Sequence, residues 1–383
     1  MWKKAIVIFM IISNVFLLTG CWNYVEIDRL INVSGLALDV GEEGKRYHLS
    51  AEIITVGSEE KAQTNVNVIE SDGNTIFEAV RNLTMISSKK LYFGHCRVMI
   101  IGEELAKYGI SEILDLTVRN HETRIAMDIA ISKGCKAKDI LLTEGISTPI
   151  IAYKIYDLLD TTEKEIGESP FTKSYKIFNT LQADGISTVI PALEIIEAEE
   201  KKAVKFCGVG VFDEDRLIEY LDVLETKNLS FINNKIKTGL LTIKADDEQG
   251  AYESFEIYKN KTQTKIQFEN DDIIVNVKTH TEVNIGEMET EEDFLKTDRV
   301  EKIRQHLEKE MEKDLYKLIN KAQTELESDI FGIGLQIYRD HYKEWEKYGK
   351  DWNERFKSVK FNVDCKVDIM GSGVYDETAK GVG

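Results

Sequence analysis

Chemistry in this chain would have to start from its thiols and imidazoles. Five cysteines occur, and Cys21 stands apart because Leu18, Thr19 and Gly20 precede it at the end of an apolar run. A thiolate is the one good nucleophile among small side chains for forming a thioether. Cys96, Cys135, Cys207 and Cys365 are widely spaced and form no C-x-x-C pair, so nothing in their pattern supports a metal cluster. Each suits a small core residue, and their even number in an exported chain would allow one or two disulfides of unspecified pairing. The histidines at 48, 95, 121, 280, 306 and 341 fall in no H-E-x-x-H, and neither G-x-S-x-G nor G-x-x-x-x-G-K-[ST] occurs. His95 and Cys96 are adjacent in YFGHCRVMI; if that run is a strand, the two side chains point to opposite faces and make no dyad. CGVGVF (Gly208, Gly210) and FGIGLQ (Gly332, Gly334) lack the third glycine of a dinucleotide loop and are expected to serve the backbone at strand entries or helix ends. The expectation is therefore no catalytic residue, no metal site, no cofactor and no enzyme.

The N-terminus has its own logic. Lys3 and Lys4 precede Ala5 to Leu18, a stretch apolar except for Ser13 and Asn14. It is too short for a membrane span, which needs about 20 apolar residues, but it suits the apolar region of a signal peptide. Leu18-Thr19-Gly20-Cys21 then resembles the bacterial lipobox. That resemblance implies cleavage between Gly20 and Cys21, removal of residues 1–20, and a diacylglyceryl group with further acylation (palmitate-type chains) on Cys21. Two chains, at about 0.8 kcal/mol per buried CH₂, hold a protein to a bilayer far more firmly than one.

Charge bears on partners. With 49 Lys+Arg against 67 Asp+Glu the chain carries −18, and losing Lys3 and Lys4 makes it more acidic. Such a surface repels phosphate backbones, so no nucleic-acid role is expected. It also repels anionic lipid, so close flat docking on a membrane is expected only through a protein partner.

The elements that must carry these groups read as α+β. The length of 383 residues exceeds what one core usually supports, and 43% hydrophobic with 30% charged residues is ordinary for a globular protein. Residues 32–40 and 47–56 read as strands around GEEGK. SDGNTIFEAVRNL passes from a turn into a helix, RVMII is a buried strand, GEELAKYGISEILDLTVRN a helix, and IAMDIAIS a strand, which argues for a mixed sheet with packed helices. Pro149, Pro170 and Pro191 mark the most loop-rich region. Beyond it, 204–212 reads as a strand, LIEYLDVLETKNLSFI as a helix and KTGLLTIKA as a strand; 255–286 is β-rich. Val275, Val277, Thr279, Thr281, Val283 and Ile285 share one strand face, with His280 on the wet side. From Val300 to Leu326 apolar residues recur every three or four positions, predicting an amphipathic helix of about 40 Å. It can cover the terminal strand, where Val359, Phe361, Val363, Cys365, Val367 and Ile369 lie on one side. The division expected is a signal peptide (1–20) and three α+β domains, each a mainly mixed or antiparallel sheet with packed helices: 21–195, 196–285, and 286–383 with the long helix and terminal strand. In the last of these, Tyr338, Tyr342, Trp345, Tyr348, Trp352 and Phe356 sit at helical spacing. Trp345, Tyr348 and Trp352 are weak interface candidates, since aromatics dominate hot spots, but burial in their own domain is the preferred reading.

Four ordered blocks, GCWNYVEIDRLINVSGLALDV, SDGNTIFEAVRNLTMISSKKLYFGHCRVMIIGEELAKYGISEILDLTVRNHETR, GVGVFDEDRLIEYLDVLETKNLSFINNKIKTGLLTI and DIFGIGLQIYRDHYKEWEKYGKDWNERFKSVKFNVDCKVDI, resemble the lipoprotein C subunit of bacterial spore nutrient-germinant receptors, Ger(x)C. The likeness spans nearly the whole mature chain. Phe93 and Cys96 in LYFGHCRV depart from the family's usual residues as conservative core variants. The resemblance implies three α+β domains, no enzymatic activity, and an anchor on the outer face of the spore inner membrane beside integral membrane A and B subunits. A solute-binding lipoprotein of a transporter is the alternative; it calls for repeated parallel β-α-β units around a cleft, where this chain's second half is dominated by long alternating strands.

Overall fold

The computed structural model describes residues 2–6, 9, 26–56, 64–119, 126–143, 148–162, 173–198, 201–244, 251–288 and 297–371. Two sheets organise them. The first has nine strands: β1 (Leu30–Val40), β2 (Tyr47–Val56), β3 (Thr64–Gly73), β4 (Lys90–Tyr92), β5 (Val98–Gly102), β6 (Asp128–Ser132), β7 (Val189–Ala198), β8 (Lys201–Asp213) and β9 (Arg216–Leu221). Their order is β3-β2-β1-β5-β6-β7-β8-β9, with β4 beside the start of β1. The centre, β1-β5-β6-β7, is parallel, and antiparallel ribbons extend it on both sides.

A parallel centre must be covered on both faces, and every residue of VMIIG and DIAIS is buried. One face packs on α1 (Ile76–Ser87), α2 (Glu103–Tyr108), α3 (Ser111–Arg119) and α6 (Ser174–Leu181); Leu83, Leu105, Ile113 and Ile177 meet Val33, Met99, Ile101 and Ile129 there. The other face packs on α4 (Ala137–Leu141) and α5 (Ile151–Thr161), where Ile140, Ile155 and Leu159 meet Val98, Ile100 and Phe206.

The second sheet, β10 (Gly239–Lys244), β11 (Tyr252–Glu269), β12 (Asp272–Met288) and β13 (Lys360–Gly371), is antiparallel except for the β12–β13 pair. β11 and β12 turn through Asn270 and Asp271, both at positive φ (47° and 76°), which is the two-residue loop whose twist matches a hairpin. As the alternation predicts, Val275, Val277, Thr279, Thr281 and Val283 are buried, while His280 is exposed and bonds Asp368 at 2.7 Å. The long helix α8 (Thr297–Thr324) and α7 (Val223–Ile232) cover the buried face.

The long helix also closes an edge. Val363, Cys365 and Val367 donate their outward amides to Tyr316 Oη (2.9 Å), Glu312 Oε1 (3.1 Å) and Glu308 Oε1 (3.0 Å). Four helical residues rise about 6 Å and two strand residues about 6.6 Å, so acceptors every fourth position meet amides every second. A strand that would otherwise present a row of free donors is thereby blocked from pairing.

Several elements differ from expectation. β7 runs through residue 195, and β8 and β9 complete the first sheet; LIEYL is β9, not helix, because its neighbour β8 pairs it antiparallel from Val209 to Asp213. The helix begins only at Val223, behind a capping box of Asp222 and Glu225. Polar β3 shows little apolar alternation and is held by pairing with β2. Pro191 lies within β7 rather than in a loop, next to the two positions where that strand pairs with β6. The helix expected over 102–120 is two within the described residues, broken at Gly109 (φ 134°), where Ile110 donates to the Asp215 carbonyl at 3.0 Å.

Candidate functional site

The sequence draws attention to FGIGLQ and to the aromatic run after it, and the fold brings both to the junction between the two sheets. Three short helices, α9 (Ile333–Asp340), α10 (Tyr342–Tyr348) and α11 (Trp352–Phe356), form this segment. Asp329 lies at its start and is fully buried. Its Oδ1 accepts from the amides of Phe331 (3.1 Å) and Gly332 (2.9 Å), and its Oδ2 from Gly334 N (2.8 Å) and Trp352 Nε1 (3.0 Å). The carboxylate caps α9 and ties α11 to it, as the partial positive charge of a helix N-terminus favours. Burial outweighs these donors and pushes the Asp329 carboxyl up to about 6.

The backbone around Asp329 crosses to the first sheet. Ser187 N donates to the Asp329 carbonyl and Leu335 N to the Gly185 carbonyl, both at 2.8 Å. Gly185 (φ 75°) allows this approach: a Cβ there would stand 2.5 Å from the carbonyl carbon of Gly334. A Cβ on Gly334 would strike the Trp352 indole at 2.5 Å. Glycine is required at both positions by close approach, as the sequence reading of FGIGLQ supposes for the backbone.

The same segment holds the β11–β12 hairpin tip. Asp271 accepts from Lys347 Nζ (2.6 Å) and Tyr348 Oη (3.0 Å) and pairs with Arg355 (2.9 Å). These donors, Lys347 first, hold its carboxyl far below the usual carboxylate range. The Tyr348 ring stacks on Phe268 with centroids 6.1 Å apart.

Of the three interface candidates, Trp352 and Tyr348 are 4% and 6% exposed, so both pack inside their own chain. Trp345 is half-buried, edge-on to Tyr338 at 5.9 Å. Exposure in this run falls instead to Tyr338 and Tyr342. The sequence reading missed Asp329; its one signal is an acid placed before two glycines at the start of a helix. It also missed two like it: Asp39 receives the amides of Ala137 (2.8 Å) and Lys138 (3.0 Å) at α4, and Glu52 those of Ile151 (2.7 Å) and Ala152 (3.2 Å) at α5. Both carboxyls are raised by burial.

Gly20 and Cys21 lie outside the described residues. The four described cysteines are free thiols; Cys365 is buried on β13, and Cys96 lies buried 3.9 Å from the Met127 sulfur. His95 and Cys96 sit in a turn rather than a strand, yet they still diverge, with His95 exposed against the Tyr92 ring. Two crevices, one between α7 and α8 and one beside Ile186 and Ile330, enclose about 40 Å³ each, room for a water molecule or so.

The chain matches known proteins along almost its full length. Residues 23–195 match the family described as spore germination protein N-terminal domain, and residues 207–373 match spore germination B3/GerAC like, C-terminal. Spore germination protein KC of Bacillus subtilis (strain 168) is 25% identical across 99% of this chain and 98% of its own. Spore germination protein B3 of the same strain is 27% identical across 97% and 98%. The crystal structure of the GerBC protein shares the fold, with a TM-score of 0.59 and 22% identity over 88% of this chain and 97% of that one. Both halves are matched in order, and the chain belongs to the Ger(x)C family of spore germination proteins.

Proposed function

We propose that this protein is the C subunit of a spore nutrient-germinant receptor, a lipoprotein held through acylated Cys21 on the outer face of the spore inner membrane. It works there by contacts with the integral membrane A and B subunits, not by catalysis. The observation that carries this reading is the near end-to-end likeness to spore germination proteins KC and B3, with both family regions present in order. One feature of the chain supports the anchor: the Leu18-Thr19-Gly20-Cys21 run follows a short apolar segment.

The test is Cys21→Ala in sporulating cells, scored for spore-membrane retention, recovery of the two integral subunits and germination. Loss of all three is expected. Unchanged retention would sink the anchor. Normal germination of spores lacking the protein, in a strain with no other receptor, would sink the receptor role.

A further inference from the structure

Although the whole chain is strongly acidic, one end of the first sheet is apolar and basic. Residues 79–102 include Arg81, Lys89, Lys90 and Arg97 and not one Asp or Glu. Arg97 is spent inside, over the Tyr156 ring at 5.0 Å. The other three are at the surface, Lys89 in the turn that leaves α1 and Lys90 at the start of β4. That helix buries Ile76, Ala79 and Leu83, and its last turn turns Met85 (77% exposed) and Ile86 (59%) outward, with Tyr92 (42%) just beyond.

The chain enters the fold at this same end. β1 and β4 run parallel with Leu30 paired to Lys90, which sets Ile27, 88% exposed, beside the end of α1. Ile27 follows Cys21 by six residues, which span at most about 20 Å. An anchor at Cys21 therefore tethers this end within about 20 Å of the bilayer. Among the described residues the acids beside Ile27 are Glu26, paired with Arg29, and Asp28. At physiological ionic strength charges more than about 8 Å away are screened, so the local excess of base governs contact while the distant acidic body does not.

We infer that this end of the molecule is a membrane-docking face. Ile27, Met85 and Ile86 enter the boundary between headgroups and acyl chains, Tyr92 lies at headgroup level, and Arg81, Lys89 and Lys90 meet anionic headgroups. The proposal rests on the lipid anchor at Cys21 and adds an orientation: the first sheet stands on its α1 end. It also revises the expectation from net charge, since docking uses the acid-free stretch together with Ile27.

The experiment places the acylated full chain on vesicles of phosphatidylglycerol and phosphatidylcholine with brominated acyl chains. With Met85→Trp, the added emission is expected to be quenched beyond that of the unsubstituted protein. Adding Lys89→Gln and Lys90→Gln is expected to lower the docked-to-undocked ratio about thirtyfold. In the unsubstituted protein, amide exchange across residues 85–92 is expected to slow on these vesicles relative to phosphatidylcholine alone. Protein that sediments with the vesicles but shows neither quenching nor slowed exchange overturns the docking face and leaves the anchor standing. Protection that arises only when integral receptor subunits share the membrane assigns the face to a protein and overturns the lipid contact. Failure to sediment at all overturns the anchor, and the docking face with it.

Discussion

The charge buried at the junction should be visible as a pH dependence of stability. Burial raises the Asp329 carboxyl from 3.8 to about 6. At 1.36 kcal/mol per pH unit this corresponds to about 3 kcal/mol between the two protonation states. The folded protein holds this proton more tightly than the unfolded chain does. The group's contribution is therefore fully present below pH 4 and is lost as pH rises through 6, with about 2 kcal/mol of the loss falling between about pH 4.5 and pH 7.5. Asp329→Asn removes the titration. It also sets an amide donor against Gly334 N and Trp352 Nε1, so it costs stability at low pH, where the native carboxyl is neutral. Relative to the native chain, the variant should gain about 2 kcal/mol on going from about pH 4.5 to pH 7.5. Urea unfolding of the mature chain carrying Cys21→Ser, followed by emission from Trp345 and Trp352, measures it. Asp39 and Glu52 also carry raised carboxyls, but they act alike in both proteins and cancel in the comparison. Parallel stability curves for the native chain and the variant would refute the reasoning.

Two other substitutions address how the sheets are joined and protected. Gly185→Ala places a Cβ 2.5 Å from Gly334 backbone at φ 75°; a cost above about 1 kcal/mol is expected from the left-handed backbone alone, read as a lowered urea midpoint. Glu312→Ala leaves the Cys365 amide without its acceptor; a loss of about 1–3 kcal/mol is expected, together with faster exchange at that amide and concentration-dependent association through β13 by analytical ultracentrifugation.

What could be read beforehand follows from periodicity. The apolar stripe expected from Val300 to Leu326 and the alternation on β12 and β13 are repeats of 3.6 and 2 that burial imposes directly on residue order; the helix runs Thr297–Thr324 with its stripe buried from Ile303, and both strands form where the alternation lies. β9 has no such advantage: LIEYLDV suits a helix as well as a strand, and only the free edge of β8 decides between them. Pro191 misled for a related reason, since it is acceptable in a strand where few ladder bonds to β6 are asked of it.

The aromatic run shows where local reading ends. Spacing could say that Trp345, Tyr348 and Trp352 belong to helical turns, and it allowed either burial or docking. Which one holds depends on Asp329, Asp271 and Gly185, groups drawn from up to 167 residues away that share no pattern with the aromatics. By itself the sequence determined the alternating elements, the long covering helix and the family, because each is written in neighbouring residues. Only the tertiary structure decided that β8 and β9 belong to the first sheet, that Trp352 is a buried donor, and that Ile27, Met85 and Lys90 share one end of the molecule. Those are relations between distant segments, set by which strand edges and helix termini find partners in the fold.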